Sequence, residues 1–204
     1  MQKRHIITIT GKPGSGKSST AKQLSKLLGY HRYYSGAIVR EIANRRGVTL
    51  GQLNKIAETE TDIDREIDEA IKKLASQDQV IVDARLGFYW IPESFKVFLD
   101  LDIDVAAARI FHDIDSRMKS AEYALNVVDV EQGIRERMES ERKRYENLYG
   151  INPYHHNHFD LIIDTAQNNP MSVALKIFDH YKLWLRTEKW KPVVERAIVG
   201  QSLR

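Results

Sequence analysis

The chain has 204 residues and no cysteine, with 31 Lys+Arg against 28 Asp+Glu for a formal charge of +3. That length holds one α/β domain with inserted lobes and a real core, and the missing cysteine removes disulfides, thiol catalysis and cysteine-bound zinc together. So small a charge gives no reason to expect nucleic acid or a membrane surface, no apolar run approaches the roughly 18 residues of a membrane span, and a cytoplasmic protein is expected.

In chain order, "HIITIT" is a short β-branched run stopped by Gly11, the pattern of a buried parallel strand. The loop "TGKPGSGKSST" that follows carries Gly11, Gly16, Lys17 and Ser18 in the spacing G-x-x-x-x-G-K-S. In such a phosphate loop the backbone N–H groups of Gly14, Ser15 and Gly16 face phosphate oxygens, and a helix over residues 17–28 adds its positive end. Lys17 then reaches the β and γ phosphates and Ser18 ligates magnesium, with Ser19 counted among the nucleotide-side residues. "HRYYS" predicts a further short strand. Residues 35–77 read as several helices in succession, a candidate lobe.

"QVIVDA" predicts another strand, closed by Asp83 at the C-terminal edge, where ligands sit in open α/β sheets. Two readings fit Asp83: a second magnesium-side group acting through water, or a cap on the following turn. "FKVFLDL" and "FDLIIDT" are further strands. Between them, residues 111–149 are charged throughout except for "ALNVVDV", as in a mobile lid or a solvated helical pair. "YHHNH" at 154–158 reads as a polar loop ahead of a strand in preference to a metal site. The C-terminal "KLWLRTEKWKPVVERAIVGQSLR" carries Trp184 and Trp190; packing of a terminal helix on its own domain or a second subunit is favoured over stacking on single-stranded nucleic acid. Pro192 is expected to break or restart that helix.

Phosphoryl transfer is a matter of positioning and charge stabilisation, so an acceptor that is itself a phosphate requires further cations near the loop. Arg40, Arg85, Arg109, Arg117, Arg137 and Arg144 are the candidates. Arg137, Glu141 and Arg144 stand at i, i+4 and i+7, on one helix face. That face is either a salt-bridge ladder or a base reader, its carboxylate accepting from the exocyclic amine of cytosine.

The motifs "GKPGSGKSS", "YSGAIVREIANRRGVTLGQLN", "VIVDARL", "RERMESERKRYENLYGIN" and "FDLIIDT" occur in that order, and the chain resembles the cytidylate kinases, most closely the short archaeal type, over roughly residues 6–177. The resemblance implies a three-layer P-loop NTPase α/β fold with a parallel sheet, similar to adenylate kinase. It implies one domain over residues 1–182, with a helical monophosphate-binding lobe at about 35–77 and a lid at about 111–135; residues 183–204 would be a C-terminal extension. It also implies transfer of the γ-phosphoryl of ATP, with Mg2+, to CMP or dCMP.

Carried onto this sequence, the resemblance gives ATP and magnesium to Lys17 and Ser18 and the acceptor phosphate to Arg40 and Arg85, with Ser35 close by. Arg137 and Arg144 become the transfer-site arginines, Glu141 the cytosine reader, and Arg109 the residue at the lid root near ATP. Ala37, Ala84 and Asp113 depart from the family pattern: the first two replace an aspartate and a glycine, and Asp113 stands where relatives have a second lid arginine. Arg117, one turn further, is the candidate replacement. The alternatives are a kinase for another nucleoside monophosphate or small molecule, and a nucleotide-sensing or RNA-associated module without turnover. Small nucleotides are the expected partners, without membrane or nucleic acid, and the protein is expected as a monomer or homodimer.

Overall fold

The computed structural model describes residues 3–117 and 126–196, apart from the side chains of residues 114–117. β1 (Ile6–Gly11) is buried along its whole length, Thr8 and Thr10 included, whose hydroxyls are paired with Ser94 Oγ and the Ala84 carbonyl. Gly16 and Gly29, with φ of 80° and 70°, bracket α1 (Lys17–Leu28). β2 (His31–Tyr34) leads into the helices of the lobe, α2 (Ser35–Arg46), α3 (Leu50–Ile56) and α4 (Asp62–Leu74). Thr49 starts α3 with a reciprocal capping box to Gln52.

β3 (Val80–Asp83), the short α5 (Gly87–Trp90) and β4 (Phe95–Asp100) follow, then α6 (Ile103–Arg117) and α7 (Val127–Tyr149). Of the expected lid at 111–135, residues 118–125 lie outside the described residues. On its far side Asn126 caps α7, its side chain accepting from the Asp129 N–H. A 3₁₀ turn at His156–His158 precedes β5 (Leu161–Asp164), and Asn169 with Pro170 opens α8 (Pro170–Arg186).

All neighbouring strands are parallel, in the order β2-β3-β1-β4-β5, with β6 (Val193–Glu195) added at the far edge. One face of the sheet packs on α1 and α8, where Ile7, Ile9, Leu24, Phe95, Leu161, Ile177 and Tyr181 form the largest buried cluster. The opposite face takes α4 through Ile6, Val80, Val82 and Ile71, and α5 and α7 through Phe88, Phe98, Phe159 and Tyr145. The lobe has its own small core of Ile42, Ala43, Leu53, Ala57 and Ile63.

α8 runs without a break through residues 182 and 183, the expected border between the domain and its C-terminal extension. Trp184 is buried with the main core, and the chain beyond Pro192 forms strand β6 instead of a restarted helix. Proline cannot donate to a ladder but is tolerated where an edge strand begins, and the Val193 N–H donates to Asp160 O at 3.0 Å.

Candidate active site

The strand order places β1 between β3 and β4, so the chain leaves the phosphate loop toward one half of the sheet and returns for the other; a crevice opens at the C-terminal edge there. Gly14 in that loop has φ 73°, and a Cβ added to it would meet the Ala106 Cβ on α6 at 3.0 Å. The turn is closed to any larger residue. Ser15 is buried with an unpartnered hydroxyl, a group that a phosphate oxygen would satisfy. Ser19 instead faces solvent and lines neither cavity described below, and Thr20, one residue on, is buried against the nucleotide side.

Lys17 Nζ donates to Gly11 O at 3.0 Å and to Lys12 O at 3.4 Å, folded back over its own loop. Burial, and then the positive charge of Arg85, push its amine down to about 7 against the opposing pull of Asp83. Beside it Ser18 Oγ donates to Asp83 Oδ2 at 2.8 Å. Two hard oxygen donors so close at the edge of the loop fit magnesium. Asp83 is 2 % exposed and also receives Arg32 Nη2 at 3.0 Å, while Ser35 Oγ donates to its backbone carbonyl at 3.2 Å.

The arginine side forms a second group. Arg85 donates through Nη1 to Gly11 O and pairs through Nε with Glu141 Oε2 at 2.8 Å. Arg137 Nε reaches Glu141 Oε1 at 2.9 Å, and the Tyr154 hydroxyl donates to Oε2. Burial would raise the Glu141 carboxyl, but Arg85 and Arg137, with the Tyr154 hydrogen bond, hold it down at about 2. The predicted helix face does exist, and on it both oxygens of Glu141 are engaged by Arg85, Arg137 and Tyr154, a counter-charge set between two arginines. Arg40 lies further out, exposed over the Tyr34 ring at 5.3 Å and donating to its hydroxyl at 3.2 Å.

Arg144 points away from this group. Its Nε lies 2.8 Å from Asp64 Oδ2, and its Nη1 donates to Asn54 O at 3.5 Å, both in the lobe. Seven residues along α7 separate it from Arg137 by about 10 Å. Of the two arginines expected at the transfer site, Arg137 stands at the loop and Arg144 at the far end of the cavity.

These residues line a cavity of 350 Å³ running from Lys17 and Ser18, past Arg85 and Arg137, to Asp64 and Arg144. A second cavity, of 590 Å³, lies across the loop between α6 and the start of α8 and includes Arg109. Arg109 Nη2 donates to Thr165 O and Ala166 O at 2.7 Å each, tying α6 to the loop after β5. The two cavities share Gly14 and Ile110. Arg117 ends α6, with its side chain outside those described.

Sequence reasoning missed Arg32, Asp64, Asp68 and Tyr154. For the two aspartates a signal was present: they stand at i and i+4 within the same stripe as Ile63, Ile67 and Ile71, the buried face of α4. For Arg32 and Tyr154 there was none, since each meets its partner only across the fold. The histidines of "YHHNH" pack on aromatic rings, His156 on Phe98 and His158 on Phe88, each at 5.1 Å.

Two cavities that touch at a phosphate loop, with one lysine facing the cation-lined side, have the architecture of a P-loop kinase. Comparison with known proteins supplies the particular family. The model of the cytidylate kinase-like family matches residues 6–167, and the chain belongs to that family. It is 34 % identical over 169 residues to the cytidylate kinase of Pyrococcus abyssi, covering 82 % of this chain and 88 % of that one. To the cytidylate kinase of Natronomonas pharaonis it is 37 % identical over 171 residues, covering 82 % and 84 %. Among solved structures, shikimate kinase from Bacteroides thetaiotaomicron superposes with a TM-score of 0.58 at 14 % identity, covering 88 % of this chain and 98 % of that one. Shikimate kinase from Acinetobacter baumannii in complex with shikimate gives 0.56 at 18 %, covering 91 % and 96 %. Those likenesses show the fold.

Proposed function

We propose that this protein transfers the γ-phosphoryl group of ATP to CMP, giving ADP and CDP. The observation that supports it most directly is the position of Lys17, between the phosphate loop and a cavity whose near wall carries Arg85 and Arg137. ATP occupies the cavity bounded by Arg109, its phosphates on the N–H groups of Gly14, Ser15 and Gly16. The monophosphate of CMP lies against Arg85 and Arg137, with Arg40 and Ser35 at the entrance. An oxygen of that monophosphate attacks the γ-phosphorus as the bond to the β-phosphate oxygen breaks, and the electron pair leaves with ADP.

No general base is required, because the attacking oxygen is already anionic. Ser18 and Asp83 would hold magnesium, which would supply positive charge to neutralise the phosphates there. Glu141 keeps Arg85 and Arg137 aimed, and its single negative charge against two guanidinium groups leaves the trio net positive toward the transferring group. No helix among the described residues is long and apolar enough to cross a membrane, consistent with an enzyme acting on dissolved nucleotides.

The test is ADP release with ATP and magnesium against CMP, dCMP, UMP, AMP and GMP, with a no-acceptor control and a Lys17→Ala enzyme. Turnover confined to the cytidine nucleotides and abolished in Lys17→Ala is expected. Preference for another acceptor would keep the kinase and discard CMP, and ATP binding with no transfer would discard the kinase.

A further inference from the structure

Four carboxylates line the acceptor cavity: Asp64, Asp68, Asp83 and Glu141. Three are occupied by protein. Asp83 accepts from Ser18 and Arg32, and Glu141 from Arg85, Arg137 and Tyr154. Asp68 takes Trp90 Nε1 at 2.8 Å on one oxygen and the Tyr149 hydroxyl on the other.

Asp64 is different. It is 2 % exposed, and its Oδ2, although 2.8 Å from Arg144 Nε, has no directed hydrogen bond; Arg144 Nε likewise has none. The two charges attract, but neither atom has its hydrogen-bonding capacity met within the protein, and both residues line the cavity. Burial, opposed by Arg144, pushes the Asp64 carboxyl up to about 6, so a donor arriving there would relieve a group that the empty protein leaves under-solvated. Around it Leu53, Ile63 and Ile67 supply apolar surface suited to the faces of a planar ring.

Resting on the CMP reading above, we propose that Asp64, held by Arg144, is the specificity-determining residue that accepts the exocyclic 4-amino group of cytosine, with the Arg144 guanidinium donating to the ring nitrogen or carbonyl. Uracil presents a carbonyl at position 4, which would set two acceptors against each other in a buried site. The position fits the length of the ligand: Arg144 stands two helical turns beyond Arg137, one end for the base and the other for the phosphate.

Asp64→Asn retains the shape and adds an amide donor. We expect kcat/KM for CMP to fall at least about tenfold and that for UMP to hold or rise, with ATP affinity unchanged. The wild-type enzyme provides a second measurement that needs no folded variant: the 2-pyrimidinone nucleotide, which lacks only the 4-amino group, should lose at least about tenfold relative to CMP, and in Asp64→Asn that gap should shrink. Glu141→Gln should lower both pyrimidine acceptors alike. An unchanged CMP to UMP ratio in Asp64→Asn, or a 2-pyrimidinone nucleotide used as well as CMP by the wild type, overturns the proposal while leaving the kinase intact. A wild type that phosphorylates neither pyrimidine monophosphate overturns the CMP reading on which it rests.

Discussion

At the scale of single residues, the site is set by how charges are paired. Lys17 is folded onto the carbonyls of Gly11 and Lys12 and held near Arg85, and its amine titrates at about 7 instead of the usual lysine value. Its folded value is depressed below the unfolded one, so this group favours the unfolded chain as pH falls from about 10 to 7, and the cost levels off below 7. Phosphates arriving on the loop reverse the shift, since they bring negative charge to the amine. Binding of ATP at pH 8.5 should therefore take up close to one proton, measured as a dependence of calorimetric heat on buffer ionisation enthalpy. That uptake should vanish in Lys17→Ala. Binding by the wild type without proton uptake would show that the amine is already charged in the empty protein.

At the scale of elements, α4 and the C-terminal strand decide the most. α4 turns Ile63, Ile67, Ile71 and Leu74 inward and carries Asp64 and Asp68 in with them, so an apolar face becomes the floor of a polar cavity. At the other edge of the sheet, the Trp190 indole donates to Asp160 O at 3.0 Å and its ring meets Phe95 at 5.9 Å. The tryptophans of this segment are thus spent on packing, which removes the feature that made stacking on nucleic acid worth considering. Trp190→Ala should cost about 2 kcal/mol, less than the 3–5 kcal/mol typical of a fully buried aromatic because the ring is only half-buried. For a chain of this length that is a drop in Tm of about 4–8 °C. Turnover at 25 °C should be unchanged, and a loss of turnover without a fall in Tm would place Trp190 in function instead.

At the scale of the whole molecule, the lobe formed by α2, α3 and the start of α4 has a small core of its own, and it reaches the main body through the rest of α4 and a few polar ties. Arg144 meets Asp64, and Ser140 donates to Glu58 at 2.6 Å. A unit bound so lightly can close over a ligand, excluding the water that would otherwise compete as acceptor. With CMP and a non-hydrolysable ATP analogue both bound, hydrogen exchange should slow across residues 35–57 more than in the strands, which are already buried. CMP and the analogue together at about 100 times their dissociation constants would add about 2.7 kcal/mol per ligand to global stability. Equal slowing everywhere would indicate global stabilisation alone, without a lobe that closes.

The sequence by itself determined the parts that depend on neighbours along the chain. The phosphate loop, the strands through Asp83 and Asp164 and the helical run from Ser35 were legible because glycine spacing, apolar runs and the 3.6-residue period are local signals. The alignment of Arg137, Glu141 and Arg144 was equally readable. What that alignment does was not, because the partner of Glu141 that matters most, Arg85, comes from the other side of the fold, 56 residues away. The same holds for Arg32 on Asp83, for Asp64 beneath Arg144 and for the strand beyond Pro192, which needs the edge of β5 to pair with. A side chain's chemical type is fixed in the sequence, but its charge state and free hydrogen-bonding capacity depend on the groups that folding brings against it, and only the tertiary structure decides those.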